Sequence, residues 1–274
     1  MGFAVPFVAQ RRRGIWRFWL LLKQLRLYRK KYMKILDRIF KGNTLYYPGC
    51  ATKFAAPFLL DKYEQLLKEI GVDYIKLNNL ENCCGSPALN AGYRKEFLEI
   101  VEKNLKVFTD HNIKKIITNC PACFKVFAKD YKEALGSVWN IEVEHIVLTL
   151  IKAIERKNLQ LKKQNIQVTF HDPCHLGKQM GIFEEPRKIL EKAGVKIVEM
   201  TLTKEKSFCC GGGGGVKSNF PQVAEEMAKE RLEMAKETQV NILVTPCPMC
   251  YLNMKGKDEK IKVMELSELL EKDE

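Results

Sequence analysis

The sequence predicts an α/β protein made of two tandem units with mainly parallel sheets, preceded by a basic helical segment. Three observations support this prediction. Short β-rich runs alternate with helical patterns, a five-cysteine pattern occurs twice, and Lys and Arg residues concentrate at the N-terminal end. The alternation indicates β–α units, since strands that alternate with helices build parallel sheets.

The N-terminal segment, residues 1–43, is predicted to be a basic amphipathic helix. It contains twelve Lys or Arg residues and one acid, so it carries +11 of the formal net charge of +13. Apolar and basic side chains alternate at helical spacing over residues 15–41, as in helices that lie on an anionic membrane or pack on a partner protein. Its longest apolar run, Phe18–Leu22, is too short to span a membrane. The nearly neutral remainder argues against nucleic-acid binding.

The two predicted units repeat one order of elements. In the first, residues 44–160, the β-rich segments are TLYYP (44–48), DYIKL (73–77), KKIIT (114–118) and IEVEHI (141–146), with helical patterns near 55–70 and 94–110. In the second, residues 161–274, they are IQVTF (166–170), VKIVEM (195–200), NILVT (241–245) and KIKVME (260–265), with helical patterns near 184–193 and 222–237. Because α/β sheets bind ligands at the carboxyl ends of their strands, we expect a site at that edge of each sheet.

The cysteines form the strongest repeat in the chain. Each unit contains a single Cys, then Cys-Cys-Gly, then Cys-Pro-x-Cys, and the second set follows the first at offsets of 124 to 127 residues. The first set is Cys50, Cys83, Cys84, Cys120 and Cys123, and the second set is Cys174, Cys209, Cys210, Cys247 and Cys250. Self-similarity at a fixed spacing indicates a duplicated unit.

The Cys-Pro-x-Cys motifs predict sulfur ligands at helix N-termini. Proline fits the first helical turn, so Cys120 and Cys247 should lie at the N-cap, where backbone N–H groups and the helix dipole stabilise thiolates. A single zinc ion takes four ligands, usually from two separate Cys-x-x-Cys pairs. Five thiolates per unit, two of them adjacent, favour an iron–sulfur cluster. A zinc site and structural disulfides stay open as alternatives, and the chain's size and Lys/Glu-rich composition favour a reducing cytoplasm.

The glycines after the adjacent cysteines are predicted to help bind such a cluster. Without Cβ atoms, Gly85, Gly211 and Gly212 allow the backbone to close over a bulky group and donate N–H groups to its sulfides. The run GGGGGVKS is not a phosphate-binding loop, because Val216 stands where that motif requires glycine.

Two histidines flank Cys174. His175 is a candidate catalytic residue that donates a proton to a departing thiolate or hydrogen-bonds a cluster sulfide. The alternative is that His171 and His175 satisfy backbone groups at a tight turn.

The motifs NCCGSP, HDPCHLG, SFCCGGGGG and TPCPMC resemble the CCG cysteine-rich family, and the resemblance covers residues 44–274. This family includes B- and D-type subunits of heterodisulfide reductases and iron–sulfur subunits of glycolate and lactate oxidases. The resemblance implies two Rossmann-like domains related by a pseudo-twofold axis. Each would bind one cluster through its own five cysteines, and in heterodisulfide reductase this is a noncubane [4Fe-4S] cluster.

The resemblance also implies an iron–sulfur oxidoreductase subunit of a larger complex, which reduces a disulfide or oxidises two thiols. The alternative function is electron transfer between a flavoprotein dehydrogenase for lactate or glycolate and a quinone or cytochrome. D-type members carry a ferredoxin-like segment with eight more cysteines where this chain has its basic segment. We therefore expect a separate redox partner of ferredoxin-like, flavoprotein or cytochrome b type, with the chain in the cytoplasm, peripheral on the inner face of the cell membrane.

Overall fold

Aliphatic and β-branched strands form two sheets in the part of the chain that the computed structural model describes, residues 42–272. The elements of the first half are β1 (Asn43–Tyr46), α1 (Pro57–Glu69), α2 (Ser86–Asn90), α3 (Arg94–Asp110), β2 (Ile113–Thr118), α4 (Pro121–Lys125), α5 (Tyr131–Leu135), β3 (Glu142–His145) and α6 (Ile146–Glu155). Those of the second half are β4 (Gln167–Phe170), α7 (Glu184–Lys192), β5 (Lys196–Ile197), α8 (Val216–Asn219), α9 (Pro221–Lys236), β6 (Ile242–Thr245), α10 (Pro248–Met254) and β7 (Lys262–Glu265). The predicted helix over residues 15–41 lies outside the described residues.

Both sheets have the same strand order. The first runs β1-β2-β3, with Ile75 forming a parallel bridge to Leu45 on the outer side of β1. The second runs β5-β4-β6-β7, and its pairs β4–β5, β4–β6 and β6–β7 are parallel, as is the pair β2–β3. The predicted α/β class with parallel sheets is therefore confirmed.

Two predicted strands are shorter than their sequence patterns. DYIKL contributes the single bridge at Ile75, whose N–H and C=O bond to Thr44 and Tyr46. VKIVEM forms the two-residue strand β5, after which Glu199 turns to bind Arg187. An ion pair beside the sheet therefore ends this strand earlier than its apolar pattern predicts.

Helix α1 joins the two halves. Leu59 packs in one buried cluster with Leu243 and Tyr251, and Tyr63 donates a hydrogen bond from its hydroxyl to Glu265 Oε1 at 2.6 Å. A second cluster contains apolar residues of both sheets. Residues 44–272 therefore fold as one compact unit, and the boundary predicted at residue 160 stays a prediction. No helix among residues 42–272 has the length and apolarity needed to cross a membrane.

Candidate metal centre

Four cysteines lie just beyond strand ends. Cys50 follows β1, Cys120 follows β2, Cys174 follows β4 and Cys247 follows β6. Parallel strands end at one edge of their sheet, so each sheet brings two cysteines to that edge. The predicted placement is confirmed.

The Cys-Pro-x-Cys motifs begin helices, as predicted. Cys120 is the N-cap of α4 and Cys247 is the N-cap of α10, each with proline in the first turn. The Cys250 N–H donates to Cys247 Sγ at 3.5 Å, within the range for sulfur acceptors. A hydrogen bond from the Cys123 thiol, assisted by backbone N–H groups, lowers the pKa of Cys120. Sulfur at these helix N-termini is therefore held in a setting that favours thiolate.

The two Cys-Cys-Gly loops share a backbone arrangement. The N–H of Gly85 donates to Cys83 Sγ and the N–H of Gly211 donates to Cys209 Sγ, both at 3.4 Å. Both glycines have positive φ, of 90° and 77°, a conformation that side chains disfavour. Gly212 donates to Cys210 Sγ at 3.4 Å and lines the central cavity. Gly85 and Gly211 thus turn their loops and point N–H groups at sulfur, while cluster binding by all three glycines stays a prediction.

Both cysteine sets face one cavity. Its volume is about 150 Å³, and nine of the ten cysteines line it together with His175, while Cys83 is exposed. Within the first set the Sγ atoms of Cys84 and Cys123 are 3.4 Å apart. None of the ten cysteines forms a disulfide. The structure therefore brings together residues from six separate segments that the sequence predicted as one class of ligand.

Crowding of the sulfur atoms makes their protonation interdependent. Hydrogen bonds from Cys123 and Cys83 lower the pKa of Cys84, and hydrogen bonds from Cys174 and Cys210 lower that of Cys209. The donor partners respond in the opposite direction: bonds to Cys120 and Cys84 raise the pKa of Cys123. Without a cation, one thiolate keeps its neighbours protonated. Five thiolates in each set are compatible only with a positive centre, and a soft, all-sulfur donor set suits iron in a cluster.

His175 lies at the cavity wall beside Cys174. Its Nδ1 is 3.5 Å from Cys174 Sγ, and both Cys209 and Cys84 act on its charge electrostatically. Burial, and then the Lys125 charge, lower the pKa of His175. The imidazole is thus a neutral side chain within electrostatic range of both cysteine sets.

Sequence reasoning missed a buried pair behind the second set. Arg231 of α9 is fully buried and its Nε donates to His171 Nδ1 at 3.1 Å. The Nε2 of His171 is buried without a hydrogen-bond partner among the described residues, and it lies within 4.8 Å of the sulfur atoms of Cys210 and Cys250. This orphaned polar atom aimed at sulfur fits a site that holds an additional group. One signal was available: Arg231 interrupts the buried face of α9 that contains Ala224, Ala228, Leu232 and Ala235.

A family model described as "Cysteine-rich domain", CCG, matches residues 44–128 and 168–255. The chain belongs to the CCG cysteine-rich domain family. This result confirms the resemblance seen in the motifs.

Curated relatives of this CCG chain are redox proteins. The D-type subunit of the dihydromethanophenazine:CoB–CoM heterodisulfide reductase of Methanosarcina acetivorans is 33% identical over 87% of this chain and 59% of its own length. The B-type subunit of the CoM/CoB fumarate reductase of Methanothermobacter marburgensis is 33% identical over 82% of this chain and 45% of its own length. The EtfAB:quinone oxidoreductase of Syntrophomonas wolfei is 30% identical over 82% and 34%.

The chain therefore spans about a third to three fifths of the length of these relatives. Their names agree with the predicted class, an iron–sulfur oxidoreductase subunit that works with a redox partner. They do not bear on the number or type of clusters.

Proposed function

We propose that this chain is the subunit of a redox complex that reduces a disulfide, or oxidises two thiols, in the cavity between its two cysteine sets. In this proposal each set ligates one cluster, of the noncubane [4Fe-4S] type, on one of two Rossmann-like halves related by a pseudo-twofold axis. The observation that supports it is the shared cavity, because nine cysteines from both sets line one space with His175 at its wall.

The ligands of the first cluster would be Cys50, Cys83, Cys84, Cys120 and Cys123, and those of the second Cys174, Cys209, Cys210, Cys247 and Cys250. When bound, such clusters supply one-electron chemistry and an iron position that accepts a sulfur ligand. Reduction of a disulfide to two thiols consumes two electrons and two protons. The electrons are expected from a redox partner, since the described residues offer no other reductant.

Residues of this chain prepare the site for that chemistry. His175 is neutral because burial lowers its pKa, and its ring can carry a proton at the cavity wall. The N–H groups of Gly85, Gly211 and Gly212 hydrogen-bond ligand sulfur atoms and so hold the loops around the clusters. The side chains of Ala51, Pro121 and Met249 also line the cavity and reduce its access to water.

A second candidate function is electron transfer without substrate chemistry. Cys50 and Cys83 of the first set are exposed, which brings that site to the surface where a flavoprotein, ferredoxin-like or cytochrome b partner can dock. The named quinone oxidoreductase relative is compatible with this function. Attachment to the inner face of the cell membrane through residues 15–41 also belongs to the proposal, and it rests on the sequence pattern.

The test is anaerobic iron and acid-labile sulfide analysis of the full chain, followed by EPR of oxidised protein before and after addition of a thiol such as coenzyme M. We expect about eight irons per chain, as two four-iron clusters require, and a paramagnetic signal that appears with thiol. The variant His175→Gln should retain the iron and alter the pH dependence of the signal. About eight irons with a signal indifferent to thiols supports electron transfer instead, and zinc without sulfide overturns both functions.

A further inference from the structure

The Arg231 guanidinium is a buried charge whose hydrogen-bond partners are neutral. It is fully buried, and besides His171 it donates to the carbonyl of Leu202 at 2.8 Å and to Ser207 Oγ at 3.4 Å. Among residues 42–272 no carboxylate lies within ion-pair distance of it. A buried charge is unfavourable without an anion nearby. The fold therefore retains Arg231 in a place that needs negative charge from another source.

The neighbouring carboxylates are already bound elsewhere. Asp172 accepts two hydrogen bonds from Arg187, at 2.7 and 2.9 Å, and Glu199 accepts from the same guanidinium at 2.6 Å. Cys210 and Cys250 are the other groups that act electrostatically on Arg231. Thiolates that ligate a cluster are an anion source in the required position.

His171 connects Arg231 to those sulfur atoms in a defined tautomer. An arginine in a protein keeps its protons, so the bond from Arg231 Nε requires a lone pair on His171 Nδ1. The neutral ring then carries its proton on Nε2, the atom within 4.8 Å of the Cys210 and Cys250 sulfur atoms. His171 is thereby an N–H donor towards ligand sulfur rather than a metal ligand.

The first site has neutral groups at the matching positions. Asn104 of α3 precedes Arg231 by 127 residues, the offset that also relates Cys120 to Cys247. Its amide donates to the Cys83 carbonyl at 2.9 Å and to the Tyr131 hydroxyl at 2.8 Å. Tyr47 stands at the position of His171, and its hydroxyl donates away from the sulfur atoms, to the Asn82 carbonyl at 2.6 Å.

We propose that Arg231 and His171 give the cluster of the second cysteine set a higher reduction potential than that of the first set. This proposal rests on the proposed function, in which each set holds a cluster. Reduction adds a negative charge, which a buried cation and an N–H donor to ligand sulfur both stabilise. Arg231 acts through His171 and through its field, so it is a positioning residue.

The same difference sets a direction for electrons. Cys50 and Cys83 of the first set are exposed, whereas every cysteine of the second set is at least partly buried. A one-electron donor protein therefore meets the first site, and one electron then moves from the first site to the second with no bond made or broken. The first site is oxidised and the second is reduced.

The test begins with the full chain holding its clusters, in an anaerobic redox titration followed by EPR. We expect two transitions whose one-electron equilibrium constants differ at least tenfold, about 59 mV. The variants Cys123→Ser and Cys250→Ser assign each transition to a site. Equal potentials, or a higher potential at the first site, would overturn the proposal without any variant of Arg231.

The variant Arg231→Gln should lower the second-site equilibrium constant at least tenfold and leave the first-site value unchanged. Arg231→Lys, which keeps the charge, should recover most of the loss. Asn104→Ala is the matched control, since it removes a buried polar contact beside Cys83 with no change in charge, and we expect both potentials to stay in place. A shift of both sites in Arg231→Gln, or of neither, contradicts the proposal. Wild-type protein with fewer than two clusters contradicts the proposed function instead.

Discussion

The two cysteine sites have the same backbone and different charges. In both, a cysteine caps a helix that begins with proline, and a glycine N–H points back at the first of two adjacent cysteines. Around this common frame the second site has Arg231 and His171 where the first has Asn104 and Tyr47. The comparison indicates that after duplication the sulfur ligands and their loops were kept, while the surrounding polar groups diverged.

The largest expected effect separates the two sites by their ligands. Cys120→Ser and Cys247→Ser each replace a sulfur at a helix N-cap with a harder oxygen donor that suits iron–sulfur clusters poorly. We expect each variant to lose about half of the iron and sulfide, because each set holds its own cluster. Chemical analysis with circular dichroism measures this, and the two variants are controls for one another. Loss of all iron from either variant would show that the sites are not independent.

The next comparison concerns Arg187 and Tyr63, which stand 124 residues apart at matching positions of α7 and α1. Arg187 holds the buried carboxylate of Asp172, so Arg187→Gln should lower the free energy of unfolding by about 3–5 kcal/mol. Tyr63→Phe removes one hydrogen bond to Glu265 and should lower it by about 1.5–3 kcal/mol. Urea unfolding measures both values. A larger effect at Tyr63 would show that the contact between the halves dominates stability.

The ends of β3 and β7 predict opposite dependences on pH. Burial raises the pKa of Glu265 to about 7, so its contribution to stability is complete below its unfolded pKa of about 4.5 and is lost as the pH rises through 7. Burial lowers the pKa of His145 to about 3, so its contribution is complete above about 6.5 and is lost as the pH falls.

We expect Glu265→Gln to remove a loss of unfolding free energy between pH 5 and pH 8 that is on the order of 3 kcal/mol in wild-type protein. Urea unfolding at the two pH values measures the difference between the proteins. His145→Gln is the control and should leave the slope above pH 6.5 unchanged. An identical slope in wild type and Glu265→Gln would show that this carboxyl does not titrate in that range.

The smallest expected difference compares the two loop glycines. Alanine at either position adopts positive φ, at a cost of about 1–2 kcal/mol. A Cβ at Gly211 would also lie 2.9 Å from the Ala224 carbonyl oxygen, whereas a Cβ at Gly85 would meet the Phe97 ring, a side chain that can move. We expect Gly211→Ala to be less stable than Gly85→Ala by about 1 kcal/mol. Thermal unfolding of both variants measures this, and the reverse order would show that the Phe97 ring is the more rigid neighbour.

Most of the fold followed from local patterns. The segments KKIIT, IQVTF and NILVT became β2, β4 and β6, and the helical patterns near 94–110 and 184–193 became α3 and α7 within a residue or two. Weak outer strands were harder to predict, since DYIKL and VKIVEM depend on one neighbour each and on where Glu199 turns. Helix α6 has no counterpart in the prediction, because its apolar residues follow β3 without a break.

The ligand set and the helix N-caps could be read from the chain, because cysteine spacing and a proline in the first turn act over a few residues. The charges around each ligand set could not. Arg231 and His171 are sixty residues apart, and Tyr63 and Glu265 are 202 apart. Their contacts exist because packing brings α9 behind the second sulfur set and places α1 against the opposite half. A sequence pattern records which side chains are polar, but burial and distance determine which charge acts on which sulfur.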